Sequence, residues 1–321
     1  MAWYPLVYRI GLALVGLTLL FGSTRHAIAL QASAGESTLA EKIGRDLQVI
    51  HAGEFQKLPP LGMGRLWARL ASDYEQAGEF AKSESAYNRT LELLDKAPNA
   101  ILEYAAALDN LGRLYLAEGN FDAAEVCRKR SYAIREKTGD VLAIARGKWT
   151  LAEVDMAKNR FKEAQKRASE AYAAMVAQND PFVSERVSTL TLLSIASCKN
   201  NQCALGLESG REAKRLALAE LPVDHFMLGE ALIWLGYAEW KTGLKDEAGE
   251  DLREGVRIQR ERVTPGHPYL LHALTVYSDY LKDVHRAAEA DEIAKEEKAL
   301  RSKPTLTCAN CTVSVYGLLG R

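Results

Sequence analysis

The feature that most constrains this chain is a helical pattern that returns every 40 to 42 residues, from about residue 62 to residue 300. Each copy has one small residue within a run of apolar residues at helical spacing, which leaves room for a second helix to approach closely. These small residues are Ala71, Gly112, Ala152, Ser194, Gly236 and Ser278. Because one helix pair cannot bury its apolar face alone, we expect the copies to stack on one another.

The second copy shows the pattern most clearly, in the stretch Leu108–Ile134. Its first half places leucines on one helical face around Gly112, and Gly119-Asn120 then breaks the helix. Its second half is rich in small side chains, which lets the second helix lie close to the first. The stretch therefore predicts two antiparallel helices. The equivalent turns of the other copies carry Gly or Asn, except Asp283-Val284-His285.

The repeated pattern resembles the tetratricopeptide repeat, a helix-turn-helix unit with a usual period of about 34 residues. The longer period is similar to that of the kinesin-light-chain subtype, whose loops between repeats carry a Gly-x-x-His-Pro-like element. The segment Thr264-Pro265-Gly266-His267-Pro268 matches that element, and Leu221-Pro222-Val223-Asp224-His225 matches it in part. The resemblance covers about residues 62–300.

This resemblance implies an all-α, right-handed superhelical solenoid of about six tetratricopeptide-like repeats over residues 62–301. It also implies a scaffold, because the family is defined by an architecture and not by a chemistry. The residues agree, since the chain has no phosphate-cradling Gly loop, nucleophile elbow or His-Glu-x-x-His helix. We therefore expect a protein that is not an enzyme and uses no cofactor.

The charge balance bears on the partner. Lys and Arg number 41 against 42 Asp and Glu, which disfavours a nucleic-acid-binding body or a groove for a polyanionic substrate. The predicted partner is a protein or peptide whose identity the sequence does not name. Contact with a membrane is expected only through the N-terminal segment, if that segment is retained.

The N-terminus differs from the repeats. An uncharged apolar run at residues 10–21 follows the basic Arg9, and Ala27-Ile28-Ala29 and Ala32-Ser33-Ala34 come next. This layout predicts a signal peptide over residues 1–34, with cleavage after Ala29 or Ala34. The alternatives are an uncleaved anchor and a buried core helix, and either of the first two places the repeats outside the cytosol, in the periplasm or secreted. Kinesin light chains are cytosolic, so a role in motor transport is not carried over.

Two segments flank the repeats. Residues 35–61 predict a capping helix, which begins at a capping box, Thr38-Leu39-Ala40-Glu41, and ends in a Pro59-Pro60 linker. Residues 302–321 form a tail with a Cys-x-x-Cys pair and a strand-like run. The tail is interpreted as a cap on the last helix, an added strand for a partner's sheet, or a disordered end.

Five cysteines in a chain predicted to be exported leave at least one without a disulfide partner. Cys127 lies inward on a second helix and is the expected free thiol. Cys198 and Cys203 flank one turn and are candidates for a disulfide, as are Cys308 and Cys311. A Cys-x-x-Cys pair is also part of redox and zinc signatures, but zinc needs two further ligands, and no metal site is expected.

The resemblance implies that the first helix of each pair lines the concave face, where extended peptides commonly lie. Helical phase then selects candidates for peptide binding. They are Asn110, Arg113, Arg146, Trp149, Trp234, Tyr237 and Trp240.

The three aromatic residues of the fifth copy, Trp234, Tyr237 and Trp240, share one side of its first helix. Two interpretations are open for them. They present a rigid apolar surface to the groove, of the kind that dominates binding energy. Alternatively, their rings pack between the fourth and fifth copies as additional core.

One known use of the fold is a clamp in which Lys, Asn and Arg side chains grip a C-terminal carboxylate. Asn110 and Arg146 match two of its places, but Ala68, Ser72 and Thr150 stand where other members are required. A clamp of that kind is therefore disfavoured. The amide of Asn110 still suits hydrogen bonds to an extended backbone.

The sequence thus predicts a non-enzymatic, exported scaffold that binds a protein or peptide in its concave groove. The main alternative is a structural component of a cell-envelope assembly that docks by its convex face or its tail. A redox-active tail at Cys308 and Cys311 is a third reading.

Overall fold

The computed structural model describes residues 39–301, and this part of the chain is all-helical. Thirteen α-helices follow one another within it, joined by short turns and loops. They are α1 (Leu39–Phe55), α2 (Pro60–Gln76), α3 (Phe80–Leu94), α4 (Ile101–Ala117), α5 (Phe121–Thr138), α6 (Val141–Ala157), α7 (Phe161–Ala177), α8 (Val183–Lys199), α9 (Cys203–Glu220), α10 (Phe226–Thr242), α11 (Lys245–Arg262), α12 (Pro268–Asp283) and α13 (Ala287–Arg301).

Twelve of these helices form six consecutive pairs, from α2 with α3 to α12 with α13, and each pair packs on the next. From α4 onward, the first helix of each pair also contacts the first helix of the following pair. Side chains on these first helices are therefore brought together although they lie about 40 residues apart. The predicted all-α repeat solenoid is confirmed.

Helix α1 packs against α2 ahead of the first pair. Ile50 of α1 is buried against Met63 and Leu70 of α2. A salt bridge joins Asp46 to Arg69, with 2.6 Å between carboxylate and guanidinium. Pro60, expected in a linker, instead occupies the first turn of α2, where its missing N–H costs nothing.

The turn inside each pair contains one residue with a left-handed backbone, as the Gly and Asn pattern predicts. In the first five pairs it is Gly78, Gly119, Asn159, Asn201 and Gly243. In the sixth pair His285 takes this conformation, with φ of 61°. Histidine is among the non-glycine residues that tolerate the left-handed region best, so the sixth turn keeps its geometry without Gly or Asn.

Histidine also begins two of the first helices. The Nδ1 atom of His267 accepts a hydrogen bond from the backbone N–H of Tyr269 at 3.2 Å, with Pro268 in the first turn. His225 caps α10 in the same way, accepting from Met227 at 3.2 Å.

Asp180 lies before α8 and is not its N-cap residue, which is Phe182. Helix α8 begins at Val183, two residues later than a cap at Asp180 requires. The Asp180 carboxylate instead accepts the N–H of Phe182 at 3.0 Å and pairs with Arg146. The ion pair between repeats therefore places this side chain in the turn before the helix.

The small residues that define the repeat lie in the core. Ala71, Ala152, Ser194 and Ser278 are at most 2% exposed. The hydroxyl of Ser194 donates to the carbonyl of Gly206 at 2.7 Å, and that of Ser278 donates to Ala290 at 3.1 Å. A serine at this position therefore ties the two helices of a pair together through a backbone carbonyl while leaving them close.

Three of the five cysteines lie within the described residues. Cys198 and Cys203 form a disulfide across the turn between α8 and α9. Cys127 is a buried free thiol on α5, and burial raises its pKa. The Cys308 and Cys311 pair, the rest of the tail and the signal segment lie outside the described residues.

Between residues 39 and 301 no helix is long and apolar enough to cross a membrane. The same range contains no group of three His, Cys, Asp or Glu side chains arranged to hold a metal ion.

Candidate functional site

A pocket of about 340 Å³ lies where the first helices of five consecutive pairs converge. Helices α4 and α6 provide most of its wall, and α8, α10 and α12 complete it through residues such as Ser188, Met227 and Tyr269. Its most prominent side chains are Arg113, Arg128, Arg135 and Arg146. We call this space the arginine pocket.

Asp109 of α4 connects two of these arginines. One of its oxygens lies 2.7 Å from Arg135, and the other lies 3.5 Å from Arg128. The hydroxyl of Thr150 on α6 donates to the same carboxylate at 3.2 Å. Three helices are thus joined at one buried carboxylate, which gives this wall of the pocket a single arrangement.

Arg128 reaches the pocket by crossing Gly112. A Cβ at that glycine would lie 3.0 Å from Nε of Arg128, so the absent side chain makes room for the guanidinium. Arg128 then pairs with Glu153 of α6 at 3.1 Å. Burial raises the pKa of Glu153, and the attraction of Arg128 and then of Arg113 opposes that rise.

Arg113 pairs with Glu75 of the preceding repeat at 2.6 Å. Tyr87 donates a longer hydrogen bond to the same carboxylate, at 3.4 Å. Burial raises the pKa of Glu75, and the nearby Arg113 guanidinium is the main opposing influence. The positive charge of Arg113 is therefore already compensated from behind the pocket.

Arg146 bridges α6 to the following repeat. Its Nε donates to Glu185 at 2.5 Å, and its Nη2 donates to both oxygens of Asp180 at 3.1 Å. The guanidinium also lies 5.0 Å from the centre of the Phe182 ring. Arg146 matched a place in the carboxylate clamp, but here it is engaged in structural pairs.

Asn110 and Trp149 are half-buried in the wall, as predicted for groove residues. The side-chain amide of Asn110 makes no hydrogen bond to any residue from 39 to 301. The indole nitrogen of Trp149 is buried and has no partner in the same range. The pocket thus contains the Asn110 amide and the Trp149 indole, neither of which has a hydrogen-bond partner between residues 39 and 301. Around them its wall carries both arginine and carboxylate side chains.

The structure brings four of the seven predicted residues into this pocket: Asn110, Arg113, Arg146 and Trp149. Of the two interpretations for Trp234, the structure agrees with additional core and not with a groove surface. Its side chain is 2% exposed and packs with buried residues such as Leu192 and Ile195. Because α8 and α12 close over this face of α10, the indole serves as core.

Tyr237 and Trp240 are half-buried and do not line the arginine pocket. The ammonium of Lys241 lies 3.4 Å from the centre of the Trp240 ring, and Lys199 lies 5.4 Å from that of Tyr237. Trp240 also donates to Asp283 at 3.0 Å. These aromatics form a separate surface with lysines above their rings.

Sequence reasoning missed Arg128 and Arg135, because it searched the first helices and both arginines are on the second helix α5. A signal was present, since Gly112 opens the space that a long side chain from the partner helix fills.

The fold and pocket define a helical-repeat solenoid, an architecture typical of scaffolds for protein–protein interaction. Models of the tetratricopeptide repeat match residues 62–137 and 229–262. These two segments of the chain are therefore tetratricopeptide repeats. No curated protein is significantly similar to it in sequence.

Solved structures share the fold at low identity. The nearly identical TPR-like repeats of a Podosopora anserina kinesin light chain are 20% identical with a TM-score of 0.50, covering 64% of this chain and 97% of that one. The apo form of RapI is 12% identical with a TM-score of 0.66, covering 86% and 95%. A Rap protein complexed with competence and sporulation factor is 10% identical with a TM-score of 0.53, covering 87% and 91%. The repeats thus have a fold like that of kinesin-light-chain TPR-like repeats.

Proposed function

We propose that this protein is a non-enzymatic scaffold that binds a protein or peptide in the arginine pocket, outside the cytosol. The observation that carries the proposal is the convergence of five repeats on one pocket with the uncommitted polar groups of Asn110 and Trp149. A buried polar group without a partner is rare in folded proteins, and a ligand that accepts a hydrogen bond accounts for the indole N–H of Trp149, which has no partner between residues 39 and 301. A protein of this fold, the Rap protein, forms a complex with competence and sporulation factor.

The ion-pair network suits such a role. Each arginine is held by a carboxylate, so the pocket is shaped before a ligand arrives, and pre-organisation lowers the cost of binding. Walls that carry both charges also favour a peptide backbone, which offers donors and acceptors, over a purely anionic ligand.

Ala106 provides the test, because it lines the pocket and its side chain is exposed. The variant Ala106→Trp should fill the pocket without disturbing the core. Val126→Trp is the matched control, since Val126 is 58% exposed and lies outside the pocket wall. Partners captured by mild crosslinking in the native envelope fraction should be lost from Ala106→Trp and kept by Val126→Trp. Equal capture by both variants would exclude the pocket as the binding site.

A structural role in a cell-envelope assembly is the second candidate. It is favoured by Leu218 and Val223, which are 62% and 87% exposed beside another pocket of about 250 Å³. This surface shares no residue with the arginine pocket. If a partner is lost from Leu218→Asp and Val223→Asp variants but kept by Ala106→Trp, the structural role is the correct one.

A further inference from the structure

A second, smaller cavity of about 20 Å³ lies where α8, α10 and α12 meet. Its walls are Val187, Ser188, Thr191, Met227, Glu230 and Tyr269. Ser188, Met227 and Tyr269 also line the arginine pocket, so the two spaces adjoin. A cavity of this volume has room for one group about as large as a water molecule.

Glu230 has the only carboxyl group among these wall residues, and it is 6% exposed. Its Oε1 accepts a hydrogen bond from the indole of Trp234 at 2.9 Å. Its Oε2 is buried and has no partner between residues 39 and 301. A buried carboxylate normally has a cation or several donors around it, so half of this carboxyl group is left for something else.

Between residues 39 and 301, the side chains around Glu230 bring no positive charge to it. The wall residues of α8, Val187, Ser188 and Thr191, are uncharged. The ring of His272 on α12 lies against Trp234, tilted by 33° with 4.3 Å between ring centres. Burial lowers the pKa of His272 to about 3, so it is neutral near pH 7. Burial accordingly raises the pKa of Glu230 to about 8.

We propose that the Glu230 cavity is a subsite for a primary ammonium group, carried by the peptide whose chain occupies the adjoining arginine pocket. The inference rests on the proposed peptide-binding function and adds the chemistry of the ligand. An ammonium group is as small as water and donates three hydrogen bonds, so it fits the volume and satisfies Oε2 and the Ser188 hydroxyl. A planar guanidinium is too large for the same space.

The remaining walls suit the carbon chain next to the ammonium. Met227 is apolar and flexible, so it can pack against the carbon chain next to the ammonium. An N-terminal amino group and a lysine side chain share this chemistry. When the ammonium enters at neutral pH, it takes the place of the proton on Glu230, and that proton is released to solvent.

The test uses n-butylammonium chloride as the probe and the full chain, by isothermal titration at pH 7 in two buffers of different ionisation enthalpy. Wild type should bind the probe at least tenfold more tightly than Glu230→Gln. Binding should release about 0.9 proton per site, the fraction of a group with a pKa of about 8 that is protonated at pH 7. The neutral isostere n-butanol should not compete.

Glu239→Gln is the matched control, because Glu239 is a 4% exposed carboxyl on the same helix that lies outside the cavity wall. It should bind the probe as wild type does. Ser188→Leu provides a second variant, since Ser188 is half-buried where the two spaces join, and a leucine there should block entry while the protein stays folded.

Two further probes identify the source of the ammonium. Tri-alanine carries only an N-terminal ammonium, and Nα-acetyl-lysine amide carries only a side-chain one. Tighter binding of either supports the subsite and names its source. Equal binding of butylammonium to wild type and Glu230→Gln, or no binding to wild type, would overturn the subsite. Neither result changes the outcome of the capture experiment with Ala106→Trp, which tests binding in the arginine pocket separately.

Discussion

Single residues set the shape of the arginine pocket through buried charges. Asp109 holds Arg128 and Arg135 together, and Glu75 and Asp180 anchor the other two arginines from outside the wall. Buried ion pairs add little net stability, because desolvation offsets their attraction, but breaking one leaves a buried charge without its partner. The main effect of this ion-pair network is therefore to hold the pocket side chains in one arrangement.

Trp234 is expected to matter for stability. Its buried indole packs between repeats, so Trp234→Ala should lower the free energy of unfolding by about 3–5 kcal/mol. The half-buried Trp240 should lose less when changed to Ala. Urea denaturation of both variants measures the difference, and equal losses would show that Trp234 is not a core residue.

A second prediction concerns the effect on stability of a side chain at Gly112. In an open helical position Gly→Ala raises stability by about 0.5–1 kcal/mol. Gly44 in α1 is such a position, because nothing lies within 4 Å of an added Cβ. At Gly112 the added methyl meets Arg128, so Gly112→Ala should gain nothing and should lose stability if the arginine cannot shift. Thermal melting compares the two, and an equal gain at both sites would contradict the crossing of Arg128 over Gly112.

The raised pKa of Glu230 predicts that the stability of the folded protein depends on pH. Its folded pKa of about 8 lies above its ordinary value of 4.5, so the folded state holds a proton that the unfolded state has lost. Its contribution to stability is complete below about 4.5 and is lost as the pH rises through about 8. The lowered pKa values of His267 and His272 act in the opposite sense, but only below about 6.5.

The stability of wild type relative to Glu230→Gln should therefore fall between pH 6.5 and pH 9, as measured by urea denaturation at each pH. Glu163→Gln, a change at an exposed carboxyl, serves as the control and should leave the pH profile as in wild type. A constant difference between wild type and Glu230→Gln would mean that Glu230 is ionised throughout this range.

At the scale of elements, the two helices of a pair have different tasks. The first helices α4, α6, α8, α10 and α12 meet at the pocket, and the second helices mostly support them. Helix α5 departs from this division, because two of its arginines reach past α4 into the pocket. In the second pair, both helices therefore contribute side chains to the pocket.

The disulfide between Cys198 and Cys203 ties α8 to α9. Closing so short a loop stabilises the folded chain by about 2 kcal/mol in the chain-entropy model. The double variant Cys198→Ala/Cys203→Ala should lose about that much, and dithiothreitol should lower the melting temperature of wild type but not of the variant. A wild-type melting temperature that ignores the reductant would exclude a structural disulfide. Cys127, the buried free thiol, should give no reductant effect.

At the scale of the whole molecule, stacking unites residues from distant parts of the sequence. Arg146 and Glu185 are partners 39 residues apart, and Arg113 and Glu75 are partners 38 residues apart. These separations are close to the repeat period, so each ion pair joins one repeat to the next. A scaffold whose binding pocket depends on such contacts is coupled to the stability of the neighbouring repeats.

Export is a prediction for the whole molecule. The apolar run at residues 10–21 and the small residues that follow it predict a mature chain that begins after Ala29 or Ala34. Mass spectrometry of the N-terminus of the protein from its native cell is the measurement. An intact Met1 in a soluble cytosolic pool would contradict export.

The sequence by itself determined the repeat architecture, because its signals are local. Apolar spacing sets each helix, and a Gly or Asn sets each turn within a few residues. The repeat and its first-helix rule selected Asn110, Arg113, Arg146 and Trp149 as candidates, and these four residues line the pocket.

Only the tertiary structure decided which other side chains share that pocket. Helical phase places Trp234 on the same face of its helix as the groove candidates, but α8 and α12 cover its side chain. Arg135 reaches Asp109 from a second helix, and Glu230 adjoins the pocket through Tyr269, 39 residues further along. The physical reason is that burial at these positions depends on how neighbouring helices cross, and a helix's own periodicity carries no information about that crossing.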